Sequence, residues 1–292
     1  MMDLKKIKSK HEKIKNYLVL IRLNKPIGIF LLLWPTLWAL WLAAKGFPDH
    51  KILIVFLFGV FLMRSAGCIL NDIADKDFDK FVERTKNRPL ASDKLSSIEA
   101  FVFASCLIFT AFLLVLTTNT LTVKLSFVAV TLAGIYPFLK RYTYLPQIFL
   151  GLTFGWSIPM AFAATVASIP QIAWLLFIVN ILWTVVYDTI YAMIDREDDL
   201  KIGIKSTAIL FDDADRFIIG VIQALVLIAL IIVGKQASLN LSYYLSVIVG
   251  SLLFIYQSYL IKDREPEKCM RAFMNNNWFG LVIFIGLFVN YL

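Results

Sequence analysis

Nine long apolar runs, separated by polar segments, dominate the chain. A bilayer has a hydrocarbon core of about 30 Å, which takes about 20 helical residues to cross. Only helices and closed barrels satisfy their backbone hydrogen bonds in lipid, and these runs are too long and too uniformly apolar for barrel strands. The pattern therefore predicts helical spans at residues 27–44, 52–70, 98–117, 119–139, 145–166, 170–191, 216–234, 241–261 and 275–292.

The composition favours a membrane protein over a soluble domain. Of the 292 residues, 59% are hydrophobic and only 17% are charged, whereas soluble domains carry about 25% charged residues. The Lys-rich start precedes an apolar run that is long enough to span rather than to be cleaved. The predicted fold class is all-α, a polytopic membrane protein. A basic cytoplasmic segment, 1–17, is predicted to precede a single transmembrane domain, 18–292.

The basic residues agree with this topology. The net charge is +8, and if the N-terminus is placed in the cytoplasm, 24 of the 29 Lys and Arg residues fall on that side. This is the positive-inside rule, so no nucleic-acid partner is needed to explain the charge. The start of the chain lacks the Arg- and Ser-rich composition of a mitochondrial transit segment. The prediction is a multi-pass protein of a bacterial inner membrane with a cytoplasmic N-terminus.

The segment after the second predicted span is unusually acidic. It begins RSAGCILNDIADKDFDKF at Arg64. If this segment is helical, at about 100° per residue, Asp77 points away from the other acidic residues. A single arc of about 80–100° then holds Arg64, Asn71, Asp72, Asp75 and Asp79. Carboxylates that share one face repel each other, and a bound cation removes that repulsion.

A second acidic segment follows the sixth predicted span, so the order of a span followed by an acidic motif occurs twice in the chain. It reads YDTIYAMIDREDDLKIG from Tyr187. On a helix, one face carries Asp188, Tyr191, Asp195 and Asp199. Asp188 and Asp198 compete with Asp199 as metal ligands, and the spacing does not decide among them.

Two acidic faces on one side of a membrane suit a diphosphate bridged by magnesium. Mg²⁺ prefers hard oxygen ligands and usually binds through a few carboxylates together with substrate phosphates. A single Asp at a membrane surface is most often simply solvated. Two motifs at helical spacing, both beginning at the inner ends of apolar helices, are typical of function. The basic residues available to neutralise the remaining phosphate oxygens are Arg84, Lys86, Arg88, Lys140, Arg141 and Lys205.

An ordered set of short motifs resembles one family. NDIADKDFD fits an NDxxDxxxD pattern, and DTIYAMIDREDD contains a DxxxD formed by Asp195 and Asp199. The stretches RLNKPIGIFLLLWPTLWAL, RTKNRP, YPFLKRYTYLPQ and KIGIKSTAILF match as well. From about residue 20 to its end, the chain resembles the UbiA superfamily of intramembrane prenyltransferases. The resemblance implies nine helices around a central cavity, caps formed by the two Asp-rich loops, and Mg²⁺ as cofactor.

The resemblance, together with the charge pattern, assigns roles to single residues. The expected metal-binding set is Asn71, Asp72, Asp75, Asp79, Asp188, Asp195 and Asp199. The expected catalytic set is Asp75, Asp195, Tyr136, Lys140 and Arg141. Within that set, Arg141 is a partner either of the acceptor's carboxylate or of the diphosphate, and the two are not separated. The expected substrate-binding set is Arg22, Arg64, Asn71, Arg84, Arg88 and Lys205.

The implied reaction is an aromatic alkylation that belongs to ubiquinone biosynthesis. Magnesium and basic residues stabilise the departing diphosphate, an allylic cation forms at C1 of the prenyl chain, and the ring of 4-hydroxybenzoate attacks through the carbon ortho to its hydroxyl. The apolar interior accommodates the tail and keeps water from the cation. The expected partners are a polyprenyl diphosphate, 4-hydroxybenzoate and the lipid bilayer, with no nucleic acid.

Alternatives stay open at this point. Another member of the superfamily would use a different acceptor, such as a naphthoate, homogentisate or haem. A divalent-cation transporter would need ionisable residues deep within several spans and on both sides of the membrane, whereas the acids here cluster on one side. A CDP-alcohol phosphotransferase is disfavoured because its DGxxAR signature is absent from the sequence.

Overall fold

The computed structural model describes residues 12–82 and 84–292. Residues 1–11, most of the predicted basic segment, lie outside the described residues. A first helix, α1, covers residues 12–20. The remaining helices are α2 (Ile27–Ala44), α3 (His50–Asp79), α4 (Ser97–Val115), α5 (Thr120–Leu139), α6 (Pro146–Gly155), α7 (Ser157–Val166), α8 (Gln171–Ile202), α9 (Thr207–Phe211), α10 (Asp215–Gln236), α11 (Leu241–Leu260) and α12 (Pro266–Asn290).

The predicted all-α membrane architecture is confirmed. Within residues 12–82 and 84–292 there is no strand, and nine helical segments are long and apolar enough to cross a membrane. A 3₁₀ turn, Asp212–Ala214, joins α9 to α10. The ninth span, α12, begins at Pro266, well before the predicted start of the last apolar run at 275, because Pro is favoured in the first turn of a helix.

Polar residues set where several spans begin and end. The Asp49 side chain caps α3, Ser96 and Glu99 form a capping box on α4, and Asn119 caps α5. Each of these side chains pairs with backbone N–H groups that the first turn of a helix leaves unsatisfied. At the other end of a span, Gly203 adopts a left-handed conformation with φ 74° and stops α8.

The two helices that carry the Asp motifs are longer than predicted. α3 has 30 residues and α8 has 32, against predicted spans of 52–70 and 170–191. The expectation that loops carry the acidic residues is wrong, because both motifs lie on continuous helical extensions of the spans. No Gly or Pro interrupts either helix between its last apolar turn and its final Asp. A helical extension is a more rigid support for side chains than a loop.

The fifth predicted span is present as Pro146–Val166, with a one-residue interruption at Trp156, which keeps right-handed helical dihedral angles. α6 ends at Gly155 and α7 begins at Ser157, so Trp156 separates two short helices within the predicted span 145–166. A Cβ atom on Gly151 would lie 2.9 Å from the Cα atom of Ile181 in α8. This close approach requires glycine, and it places α6 directly against the second Asp-bearing helix.

The helices differ strongly in burial. The apolar windows of α2 and α8 are 67% and 61% buried, whereas those of α4 and α5 are 22% and 11% buried. Trp38 of α2 stacks on Trp183 of α8 with ring centroids 5.2 Å apart, and Phe279 of α12 packs against Trp183 at 5.3 Å. The outward faces of α4 and α5 are apolar, with Phe101 and Ile135 exposed. Such faces are expected of helices that contact lipid.

Three consecutive asparagines hold α12 to its neighbours. Asn275 Oδ1 accepts a hydrogen bond from Gln257 Nε2 of α11 at 3.0 Å. Asn276 Oδ1 accepts one from Trp183 Nε1 of α8, and Asn277 Oδ1 accepts one from Trp34 Nε1 of α2, both at 2.9 Å. Interhelical hydrogen bonds of this kind fix the rotation and height of a helix in an apolar bundle.

Candidate active site

A cavity of about 1530 Å³ lies inside the bundle. Residues of α2, α3, α4, α5, α7 and α12 form its largely apolar walls, and a group of polar side chains closes the end where α3 leaves the bundle. The expected central cavity is thus present. The predicted site residues that line it are Arg22, Arg64, Asn71, Asp72, Arg84, Arg88, Tyr136 and Asp188.

The other predicted site residues are absent from the cavity lining. They are Asp75, Asp79, Lys140, Arg141, Asp195, Asp199 and Lys205. Three of them contact residues that do line the cavity, namely Asp75 with Asn71, Asp79 with Arg88 and Asp195 with Arg84, so they form a second layer around its polar end. The contacts of each motif show how this layer is built.

Basic side chains from three other segments surround the carboxylates of α3. The Asp72 carboxylate accepts hydrogen bonds from Arg22 Nη2 at 2.5 Å and from Arg88 Nη1 at 3.2 Å. Arg88 Nη1 also donates to Asp79 Oδ2 at 2.7 Å. Asp75 pairs with Lys140 from the end of α5. Burial disfavours the charge on Arg88, yet the carboxylates of Asp72 and Asp79 raise its pKa above the ordinary value, so it stays charged.

Arg84 interacts with carboxylates of both acidic motifs. The Arg84 guanidinium donates to both carboxylate oxygens of Asp195, with Nε to Oδ1 at 2.9 Å, and it also contacts the Tyr191 hydroxyl. It lies 4.7 Å from the centroid of the Tyr191 ring. Arg84 further interacts electrostatically with Asp79 of the first motif. The segment that follows α3 therefore bridges the two acidic helices.

The two helical faces point as the periodicity predicts. Asp77 of α3 is 89% exposed and points away from the site. On α8, the Asp199 carboxylate interacts with Asp195, Lys140 and Arg84, whereas Asp198 pairs with Lys201 at 3.3 Å. Asp199 rather than Asp198 thus faces the first motif.

Arg64 is an unusual cation because it lies within a membrane span. Its Nε atom is buried and has no hydrogen-bond partner among the described residues, and its guanidinium lies 5.4 Å from the centroid of the Phe154 ring. It interacts electrostatically with Asp188 and Tyr136, which line the same part of the cavity. Gly28 leaves the room that the guanidinium occupies, since a Cβ there would overlap it.

Arg141 and Lys205 bind main-chain atoms near the cavity rather than the cavity itself. Arg141 Nη2 donates to the carbonyl oxygen of Ala74, and its guanidinium lies 4.9 Å from the Phe78 ring. Lys205 Nζ donates to the carbonyl oxygen of Tyr142 at 3.3 Å. These contacts join the end of α5 and the segment after it to α3 and to the segment after α8.

Several polar residues of the cavity lining were not predicted from the sequence. They are Asn24, Lys25, Asn87, Arg271, Asn275 and Asn277. A signal for them was present: Asn24, Lys25 and Asn87 lie in the RLNKP and RTKNRP stretches. The NNN run at 275–277 interrupts an apolar span, and polar residues at membrane depth often have a function.

The chemistry of the carboxylates fits magnesium. Across the described part of the chain, no three Asp, Glu, His or Cys side chains are gathered tightly enough to hold an ion, since basic side chains stand between the carboxylates. Asp72 Oδ2 and Asp75 Oδ1 are nevertheless buried and have no hydrogen-bond partner in that part. Buried oxygens of this kind are costly unless paired, and Mg²⁺ prefers such hard donors.

The fold and this site together define an intramembrane prenyltransferase. The chain belongs to the UbiA prenyltransferase family, whose model matches residues 32–282. A relative from Psychromonas ingrahamii, named 4-hydroxybenzoate octaprenyltransferase, is 57% identical over 281 residues, which are 96% of this chain and 98% of that protein.

Two solved structures share the fold. A UbiA homolog from Aeropyrum pernix K1, in its apo form, matches with a TM-score of 0.80 and 24% identity over 91% of this chain and 98% of that chain. A UbiA homolog from Archaeoglobus fulgidus bound to DMAPP and Mg²⁺ matches with a TM-score of 0.72 and 15% identity over 92% of this chain and 99% of that chain.

Proposed function

We propose that this chain transfers a polyprenyl group from a polyprenyl diphosphate to the ring carbon ortho to the hydroxyl of 4-hydroxybenzoate and releases diphosphate, as a step of ubiquinone biosynthesis. Membership of the UbiA family and 57% identity to a 4-hydroxybenzoate octaprenyltransferase support this reaction. The structural observation that carries it is the pair of facing carboxylate sets at the polar end of a large apolar cavity.

The diphosphate of the donor would bind between the two Asp-bearing helices. The oxygen donors that would hold Mg²⁺ there are Asn71, Asp72, Asp75 and Asp79 of α3 and Asp195 and Asp199 of α8. When bound, Mg²⁺ supplies positive charge that stabilises the leaving diphosphate. The Mg²⁺ and DMAPP in the Archaeoglobus fulgidus structure, which shares this fold, support this assignment. The chain adds its own cations at the same place: Arg22, Arg84, Arg88 and Lys140.

The acceptor would bind deeper in the cavity, next to Arg64. Arg64 has a buried nitrogen without a partner among residues 12–82 and 84–292, so a carboxylate there gains a charge-assisted hydrogen bond. Asp188 and Tyr136 line the same region and would lie beside the aromatic ring. Arg141 is engaged with the Ala74 carbonyl, and we assign it to positioning the first motif.

The cavity performs two further tasks in the reaction. Its apolar walls bind the prenyl tail, because about 25 cal/mol is gained for each Å² of apolar surface removed from water. The same walls exclude water from the allylic cation that forms when the bond between C1 and the diphosphate oxygen breaks. A new bond then forms between C1 and the ring carbon, and loss of the ring proton restores aromaticity.

We further propose that the polar end of the cavity opens to the cytoplasm of a bacterial cell. The charge distribution supports this orientation, since 24 of the 29 basic residues fall on the side of the Asp motifs. The N-terminus and the water-soluble substrate groups would then share one side of the inner membrane, while the tail enters from the bilayer.

The reaction is tested with the purified full chain in lipid vesicles, supplied with octaprenyl diphosphate, Mg²⁺ and 4-hydroxybenzoate. Mass spectrometry should show a single product with the prenyl chain on the carbon ortho to the hydroxyl. In competition, a dihydroxynaphthoate, homogentisate and haem should leave this product unchanged at equal concentration. Preferential prenylation of any of these three would contradict the proposed acceptor. Absence of any prenylated product would contradict the reaction itself.

A further inference from the structure

The end of α8 that carries the second Asp motif needs support from outside the site. α8 and α10 pack along each other, but the last turns of α8 extend to exposed residues such as Leu200 and Lys201. Among the described residues, Arg84 is the one that forms an ion pair with Asp195 on the cavity side. Both of these groups are expected to bind the substrate or its metal, so their mutual contact does not hold the helix once a diphosphate is bound.

The residue next to Asp195 makes ion pairs on a different side of the helix. Successive residues of a helix point about 100° apart, so Arg196 is directed away from the cavity side. Its guanidinium pairs with the Asp212 carboxylate and lies 3.7 Å from Asp215 Oδ2. We call Arg196, Asp212, Asp215 and Arg264 the Asp215 anchor.

Asp215 is the centre of this anchor. Its side chain is 0% exposed at the start of α10, and Arg264, from the turn between α11 and α12, donates to it from Nε at 3.0 Å and from Nη2 at 2.8 Å. Arg264 Nη2 also donates to the Asp213 carbonyl at 2.9 Å. A guanidinium that donates two hydrogen bonds to one buried carboxylate forms a strongly directional interaction. The anchor therefore joins the end of α8, the start of α10 and the start of α12.

Two residues of the anchor have unusual backbone conformations. Asp212 and Arg264 both have positive φ, at 47° and 54°, a region that side chains other than Gly enter rarely. Both residues take part in the ion pairs of the anchor. Unfavourable backbone conformations persist only where the surrounding contacts stabilise them, and here both occur at residues of one ion-pair network.

We propose that Arg196 and Asp215 are positioning residues that fix the end of α8 so that Asp195 and Asp199 face the first Asp motif. This inference rests on the proposed function, since it assumes that these carboxylates hold the metal and diphosphate of a prenyl donor. It extends that function to groups that touch neither substrate. Loss of the anchor should weaken binding at the second motif and leave acceptor binding unchanged.

The test compares Arg196→Gln with Lys201→Gln in the purified full chain in lipid nanodiscs. Both variants lose one positive charge from the same helix end, but only Arg196 belongs to the anchor. The first measurement is equilibrium binding of geranyl thiodiphosphate, an unreactive donor analogue, over a series of Mg²⁺ concentrations. We expect Arg196→Gln to raise the half-saturating Mg²⁺ concentration by about 10-fold, as for loss of a group that orients a metal ligand. Lys201→Gln should match the unsubstituted chain.

Two further measurements separate positioning from general stability. Arg196→Lys should recover part of the binding, and the KM for 4-hydroxybenzoate should stay constant across the series. If Arg196→Gln does not fold, Asp212→Asn removes one pair of the anchor at a largely exposed carboxylate and should shift the same Mg²⁺ dependence by a smaller factor.

The outcomes are distinct. Binding by Arg196→Gln equal to that of Lys201→Gln overturns the anchor proposal, as does a loss of folded protein with unchanged Mg²⁺ dependence. An unsubstituted chain that binds the analogue but forms no prenylated product contradicts the proposed function alone, because the binding comparison still decides the role of the anchor. An unsubstituted chain that fails to bind the analogue overturns both.

Discussion

The two Asp-bearing helices reach the same cavity with different kinds of support. On α3, Asp72 and Asp75 are each 1% exposed and are held by cations from other segments of the chain. On α8, Asp195 is 14% exposed and is paired with Arg84, while Arg196 pairs with Asp212 on another side of the helix. Under the proposed function, the carboxylates of α3 both bind the metal and are held by the ion pairs of the site, whereas on α8 binding and support fall to different faces. We therefore expect the two motifs to contribute similarly to binding but unequally to stability.

Removal of divalent metal tests the part that both helices share. Excess EDTA should reduce prenyl transfer to background, because both carboxylate sets would then lack the ion that stabilises the leaving diphosphate. Added Mg²⁺ should restore the rate, measured as product formed per minute in vesicles. Full activity in EDTA would contradict the metal role of both motifs at once.

Single substitutions should show that the two helices matter equally for the reaction. Asp75→Ala and Asp195→Ala should each lower kcat by about 10²–10³-fold, the scale of losing one group that stabilises transition-state charge. Asp77→Ala is the matched control, since Asp77 lies on α3 but is 89% exposed and faces away from the site. A loss of activity in that control similar to the loss in Asp75→Ala would show that the effect is not specific to the cavity face.

Stability should separate the two helices. Asp72→Ala leaves Arg22 without its carboxylate partner and Arg88 with Asp79 alone, and breaking a buried ion pair costs about 3–5 kcal/mol. Asp195→Ala removes a pair that is more exposed, so its cost should be about 1 kcal/mol. The free energies of unfolding can be compared by SDS-induced unfolding in mixed micelles. Equal losses would mean that the contrast in burial has no energetic consequence.

A smaller and more selective effect is expected deeper in the cavity. Arg64→Gln should raise the KM for 4-hydroxybenzoate by about tenfold, since a hydrogen bond to a charged group contributes about 1.5–3 kcal/mol. The KM for the polyprenyl diphosphate should change little, because Arg64 lies away from the ion pairs of both motifs. Steady-state kinetics with each substrate varied in turn provides the measurement. A rise in the donor KM instead would place Arg64 at the diphosphate.

The sequence predicts the spans and the two acidic faces well for a physical reason. Long apolar runs and a period of 3.6 residues determine that a segment is helical and which side chains share a face. The same reasoning failed at the inner ends of two spans. It stopped the second and sixth spans at the last apolar turn, although nothing ends the helices before Asp79 and Gly203.

The sequence does not predict which basic side chain pairs with which carboxylate in the site. Arg84 and Arg88 were predicted as substrate-binding cations, but periodicity does not specify the path of the segment after α3. Only the fold shows that Arg88 meets the first motif and Arg84 the second. The lack of a hydrogen-bond partner for Arg64 Nε among the described residues is likewise a property of three-dimensional packing.

The weak burial of α4 and α5 bears on the length of tail that the protein accommodates. Phe112 and Phe127 from these helices line the cavity, yet only 22% and 11% of the two apolar windows are buried. Little packed protein from the described residues backs this wall, so in a bilayer acyl chains would contact it. An additional isoprene unit would displace fluid lipid instead of a rigid core, so the bilayer itself takes part in setting the capacity of the chamber.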